Sequence, residues 1–70
     1  MTQCERILKY MDDFGSITAA EAMVDLGVMR LAARIFDIAS RMGIEIIREK
    51  VKGFNRYGEP IVFMRYRRAE

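Results

Sequence analysis

ITAAEAMVDLGVMRLAARIFDIASRMG, from Ile17 to Gly43, is the stretch on which the fold turns. Thr18 stands where a helix N-cap is wanted and Glu21 follows three residues on, so each side chain can satisfy a backbone N–H that the first helical turn leaves free. Ala22, Met23 and Leu26 then give a short helix one apolar face. Gly27 supplies the left-handed turn residue that lets the chain reverse direction. A further helix begins at once and ends at Gly43, so the stretch reads as helix, tight turn, helix.

That further helix can be phased. At 100° per residue, with Ile35 at zero, Val28, Leu31, Ala32, Ile38, Ala39 and Met42 fall within about 60° and form one core stripe. Arg30, Ala33, Arg34, Asp37 and Arg41 fall roughly 100° to 200° away. The outward side is thus mostly guanidinium, which suits either a solvated face or a helix that enters the major groove of a duplex. Met29 and Phe36, at about 120° and 100°, either border the core or add to a partner surface.

The segments on either side complete the pattern. Thr2 and Glu5 make another capping box, which predicts a first helix from about Gln3 to Asp13 or Phe14, stopped at Gly15. Its Cys4, Ile7, Leu8, Met11 and Phe14 follow helical spacing and should cover the helix-turn-helix from behind. Ser16 and Ile17 are expected to be extended, with room for a very short strand. After Gly43 the period changes: Ile44, Ile46, Ile47 and Val51 predict a strand of about six to eight residues. A partner strand is expected from about Ile61 to Arg67, with Lys52 to Glu59 as the hairpin loop and Pro60 unable to donate to a central ladder. Alternation puts Val62, Met64 and Tyr66, with Ile44 and Ile46, toward the helices. Ile47, Val51, Ile61 and Phe63 are left on the far face, an apolar patch suited to a partner or to a symmetric dimer.

Composition narrows the function classes. Seventy residues, 51% apolar and 31% charged, make one globular domain spanning residues 1–70, which buries only about 60% of its unfolded surface. No apolar run approaches the roughly 20 residues needed to cross a bilayer, and no signal pattern opens the chain, so no membrane partner is expected. The net charge of +2 is unremarkable, but its distribution is not. Basic residues crowd the stretch from Arg30 to Arg68, while Glu5, Asp12, Asp13, Glu21 and Asp25 lie in the N-terminal part, a field that favours docking one end onto an anion. Cys4 is the single cysteine; it reads as core packing in a reducing compartment, with a reactive thiol or an intermolecular bridge as the other reading.

Enzymatic chemistry has little to work with. The chain holds no histidine and no glycine-rich phosphate loop, so no catalytic residue, cofactor or metal site is expected. Asp12 and Asp13 diverge by about 100° on a helix, and Glu45 and Glu49 read as surface partners of Arg48 and Lys50.

Three helices followed by a C-terminal β-hairpin wing, an α+β arrangement, is the order of a winged helix-turn-helix, in which the third helix enters the major groove and the wing reaches adjacent backbone or minor groove. On that reading Arg30 and Arg34, one turn apart, reach base edges or phosphates, with Ala33 and Asp37 beside them and Arg41 deeper on phosphate. The N–H groups near Thr18 and Ala19 hold another phosphate. Lys52, Asn55 and Arg56 are the wing candidates, with Tyr57 packing on sugar.

The run SITAAEAMVDLGVMRLAARIFDIASRMG, followed by I-E-I-I and a late aromatic in MRYR, resembles the small helix-turn-helix proteins common in bacteriophages and prophages. That group tends to show S-I-T-x-x-E-A, L-G-x-x-R-L, A-R-I and a terminal glycine before a hairpin. The resemblance covers Ile7 to Tyr66 and implies a winged helix of phage or prophage origin that binds double-stranded DNA in the bacterial cytoplasm, nucleoid-associated when bound. The leading expectation for its task is a transcriptional regulator or a recombination accessory factor. Arg30 and Arg34 match its pattern, and the arginine of A-R-I can instead brace the fold. Two departures stand out: the Gly27 to Gly43 spacing differs by one residue from many winged regulators, and Met29 occupies the place of a capping Ser or Thr. In the more usual repressor register, Ala33 and Phe36 would be core. The alternative function keeps the fold and drops the DNA, leaving a module that binds or inhibits a host protein through its apolar ribbon and helix surfaces.

Overall fold

A computed structural model describes residues 1–69. Its elements are α1 (Gln3–Phe14), β1 (Ile17–Thr18), α2 (Ala19–Leu26), α3 (Leu31–Arg41), β2 (Ile46–Phe54) and β3 (Pro60–Arg68). The three helices precede an antiparallel sheet of strand order β1-β3-β2, the expected winged α+β arrangement with one very short strand added.

The helix boundaries follow from their caps. In α1 the Thr2 hydroxyl accepts from the Glu5 amide and the Glu5 carboxylate accepts from the Thr2 amide; Thr18 and Glu21 repeat the exchange at α2. The Thr2 amide also holds the Glu5 carboxyl below its usual range. Gly27 takes φ +70°, and the amides of Gly27 and Val28 turn back onto carbonyls of α2. A side chain at that φ would be strained, so the turn into α3 depends on glycine.

The core is a single cluster of Ile7, Tyr10, Met11, Ile17, Ala22, Val28, Leu31, Ile35, Ile38, Ile46 and Tyr66, with Cys4, Leu8, Leu26, Ile44 and Met64 packed against it. Its centre is the α3 stripe: Ile35 and Ile38 are fully buried. Several expected members lie outside. Phe14 and Met23 are exposed. Tyr10 occupies the place expected of Phe14, because it faces inward one turn after Ile7 and its hydroxyl donates to Asp25 Oδ2 at 2.7 Å. Ala32 and Met42 are exposed although their phase is apolar: Ala32 lines a surface groove beside β3, and Met42 lies one residue beyond the end of α3. Phe36 is 65% exposed, which excludes the register that would bury it.

Tyr10 makes the α1–α2 contact pH-sensitive. The hydrogen bond to Asp25, then burial and the nearby carboxylates of Glu21 and Asp25, push its pKa up to about 12 from the ordinary 10.0. A phenol that holds its proton longer when folded contributes stability that is complete below pH 10.0 and is lost as pH rises to about 12. Tyr10→Phe is therefore expected to remove one alkaline step from a plot of melting temperature against pH.

β2 and β3 pair without a bulge from Ile46↔Arg68 to Phe54↔Pro60, so the loop is only Asn55–Glu59, and Lys52, expected in the loop, lies in β2. Nine-residue strands extend about 30 Å, and the molecule's long dimension is 39 Å. Only the base of this hairpin packs on the helices. Ile46 and Tyr66 are buried and Met64 is half-buried, whereas Val62, on the same face, is 61% exposed because it lies beyond the helical layer. Ile47, Val51, Ile61 and Phe63 share the opposite parity as expected, and the Phe63 ring leans so close to Gly53 that a Cβ there would meet it at 3.3 Å. Ile61 and Phe63 also line the groove to which α3 contributes Leu31 and Ala32.

Candidate nucleic-acid interface

α3 reaches the surface along one side only, because Leu31, Ile35 and Ile38 fix the other side in the core. Arg30 is its N-cap residue, exposed, with no side chain capping the helix start. Arg41 is exposed in the last turn, where a cation suits the helix dipole. Arg34 differs from the expectation of a free groove-reading arginine. It is half-buried, its guanidinium lies 3.2 Å from Asp37 Oδ2, and its Nε is shielded from solvent without a hydrogen-bond partner. Asp37 also draws Arg41 at 4.0 Å. The pairing follows from helical geometry, since residues three and four apart are neighbours on one face; it makes Arg34 a brace on α3. Ala33 lies half-buried beside it.

Thr18 and Ala19 stand at the start of α2, next to α3: both line the groove to which α3 contributes Leu31 and Ala32. The Thr18 amide, however, donates to Glu21 Oε1 at 2.8 Å. A carboxylate of this protein already occupies the position that an incoming phosphate would take.

The wing is built differently at its tip and along its side. Asn55 Oδ1 accepts from the amides of Tyr57 and Glu59, and Asn55 Nδ2 donates to Glu59 Oε1. Both ends of the amide are engaged inside the loop, so Asn55 shapes the wing. Asn55→Ala is expected to cost about 1 kcal/mol, a typical net value for lost hydrogen bonds at an exposed turn, and to lower the melting temperature by roughly 4 to 8 °C for a domain of this size. Arg56 and Tyr57 stand exposed at the tip, and Tyr57 is 83% exposed.

Along the side, Arg48, Lys50 and Lys52 occupy alternate positions of β2, opposite Tyr66, Met64 and Val62. All three are exposed and share the sheet face that carries the helices. Among the described residues none of them forms an ion pair, nor do Arg30 and Arg56, whereas Lys9, Arg34, Arg41, Arg65, Arg67 and Arg68 each lie within 4.0 Å of a carboxylate. Glu49 pairs with Arg65 and Arg67 on the opposite face, not with Arg48 and Lys50 as their adjacency suggests, because neighbouring strand residues point to opposite sides. Arg48 and Lys50 are thus candidate contact residues that local spacing missed. The signal was present in R-E-K-V-K, where cations recur at every second position.

Among the described residues no helix is long and apolar enough to cross a membrane. Comparison with protein families matches residues 2–66 to the winged helix-turn-helix domain. Neither the curated proteins nor the solved structures gave a match. A match spanning nearly the whole chain, on a fold with the same order of helices and wing, shows that this chain belongs to the winged helix-turn-helix family.

Proposed function

We propose that this protein binds double-stranded DNA with α3 in the major groove and the β2 side of the wing against the flanking backbone. It acts as a small regulator of transcription or as an accessory factor in recombination, of phage or prophage type. The observation that carries the reading is the row of Arg48, Lys50 and Lys52, exposed and without carboxylate partners on the helical side of the sheet. Cations left unpaired by the fold are the groups that displace counterions from a duplex. If Arg30, Arg48, Lys50, Lys52 and Arg56 each meet a phosphate, the log–log salt slope of the binding constant is about −4.5, at about −0.9 per contact. Titration of a labelled duplex at several salt concentrations measures that slope; absence of binding at the lowest salt overturns the proposal.

A second reading has its own support. The opposite face of the wing offers Ile47, Val51, Ile61 and Phe63, with Ile61 and Phe63 about 40% exposed, to a host protein or to a second copy of the chain. Salt-insensitive association that is lost on Phe63→Ser would favour it.

A further inference from the structure

The groups that α3 presents outward are not those the arginine pattern suggests. Phe36 and Ser40 stand exposed on its solvent side with the half-buried Ala33 one turn ahead of Phe36, and Met29 stands before them in the turn, 74% exposed. Phe36 is 65% exposed, on a helix whose opposite face is sealed by Ile35 and Ile38. Ser40 donates its hydroxyl proton to the Phe36 carbonyl at 2.7 Å, so it has no proton to offer a base. Arg34, the arginine nearest the middle of the helix, is held by Asp37. The centre of this surface therefore presents apolar groups, with the Arg34 guanidinium beside them drawn onto Asp37.

Its margins are cationic. Arg30 and Arg41 stand exposed at the two ends of α3, and the one acid of the helix, Asp37, is shared between Arg34 and Arg41. The unpaired row of Arg48, Lys50 and Lys52 lies on the sheet face that carries the helices. An apolar strip between cations of one sign fits a polyanion with apolar groups along its groove. In the major groove of DNA that apolar group is the C5-methyl of thymine.

Resting on the duplex-binding reading above, we infer that α3 recognises thymine methyl groups through Phe36, Ala33 and Met29, so that the target is a thymine-rich duplex and not a guanine-centred one. Hydrogen bonding contributes little to the choice of base. The cations at the margins hold the phosphates and set affinity without selecting sequence.

The test uses the full chain and four duplexes of equal length: alternating d(AT), alternating d(AU), which differs only in lacking the methyl groups, alternating d(GC), and the same d(GC) duplex with 5-methylcytosine. Each methyl removed from contact is expected to weaken binding about fourfold, from the hydrophobic value of one CH₂ group. The d(AT) duplex should therefore bind on the order of tenfold more tightly than d(AU), and methylation should strengthen d(GC) binding in the same direction. Phe36→Ser, at an exposed position that leaves the core untouched, should bring d(AT) affinity down toward that of d(AU). Lys50→Ala should weaken all four alike.

Equal affinity for d(AT) and d(AU), with binding intact, overturns the inference and leaves duplex binding standing. A methyl preference left undiminished by Phe36→Ser and Met29→Ser together overturns it too, because the methyl is then read elsewhere. If Phe36→Ser changes no DNA affinity, the strip does not enter the groove and serves a protein contact instead. Failure to bind any of the four duplexes overturns the duplex-binding reading itself, and this inference with it.

Discussion

A protein carrying Arg48→Ala, Lys50→Ala and Lys52→Ala together is expected to keep its fold and to lose duplex affinity on the order of a hundredfold at near-physiological salt, with a salt slope shallower by about 2.7. The fold should survive because all three side chains are exposed and none has a carboxylate partner among the described residues. Surface changes of that kind usually shift stability by only about 0.5 kcal/mol. The affinity should fall because three phosphates regain their counterions. The loss should also be nearly independent of sequence, since backbone contacts position a protein without selecting bases. Parallel removal of Arg65 and Arg67 is the control: both are held by Glu49 on the other face of the hairpin, at 3.8 and 3.3 Å.

The second large effect concerns stability. Ile35→Ala deletes a fully buried side chain at the point where α3 meets α1 and the cluster around Ile7, and is expected to cost about 3 kcal/mol, counting both lost transfer energy and the cavity left behind. For a domain of this length that is a large share of a total of roughly 3 to 10 kcal/mol, and the melting temperature should fall by roughly 12 to 24 °C. Phe36→Ala, one residue along, should change it by no more than a few degrees. The contrast checks the rotation of α3 about its own axis, on which the choice of outward residues depends. A large loss for Phe36→Ala would mean that the apolar strip faces inward.

Much of this architecture was legible in the chain because local signals agreed with one another. Both capping boxes, the Gly27 reversal and the stripe of Leu31, Ile35 and Ile38 could be read from spacing alone, and the structure bears them out. The alternation of β3 was legible as well, but where the alternation stops meaning burial was not. Val62 and Met64 share a parity and differ in exposure because the helical layer ends between them. Phe14 and Tyr10 show a related limit: both are aromatic and a turn apart, and what separates them is Asp25, fifteen residues away, which accepts the Tyr10 hydroxyl proton.

The candidate site was less legible than the fold, for electrostatic reasons. Spacing finds arginines but does not say which are already spent. Arg30 and Arg34 look equivalent in R-L-A-A-R, yet Arg34 has Asp37 three residues on, while Arg30 stands before the helix with no carboxylate partner among the described residues. On the wing the error ran the other way. Arg48 and Lys50 flank Glu49 in the sequence, but strand geometry turns them to the opposite face and leaves them unpaired. Asn55 looks like a polar contact at a loop tip, and its three side-chain hydrogen bonds all close the loop itself.

The placement of the duplex against α3 and the β2 side of the wing is tested most directly by following backbone amide and side-chain methyl resonances of the isotope-labelled protein as duplex DNA is added. The expected result is a continuous set of shifted signals from Met29 through Arg41, together with Arg48 to Lys52 and the tip at Arg56 and Tyr57. Shifts confined to Ile47, Val51, Ile61 and Phe63, or to α1, would put the partner on another surface and contradict this account.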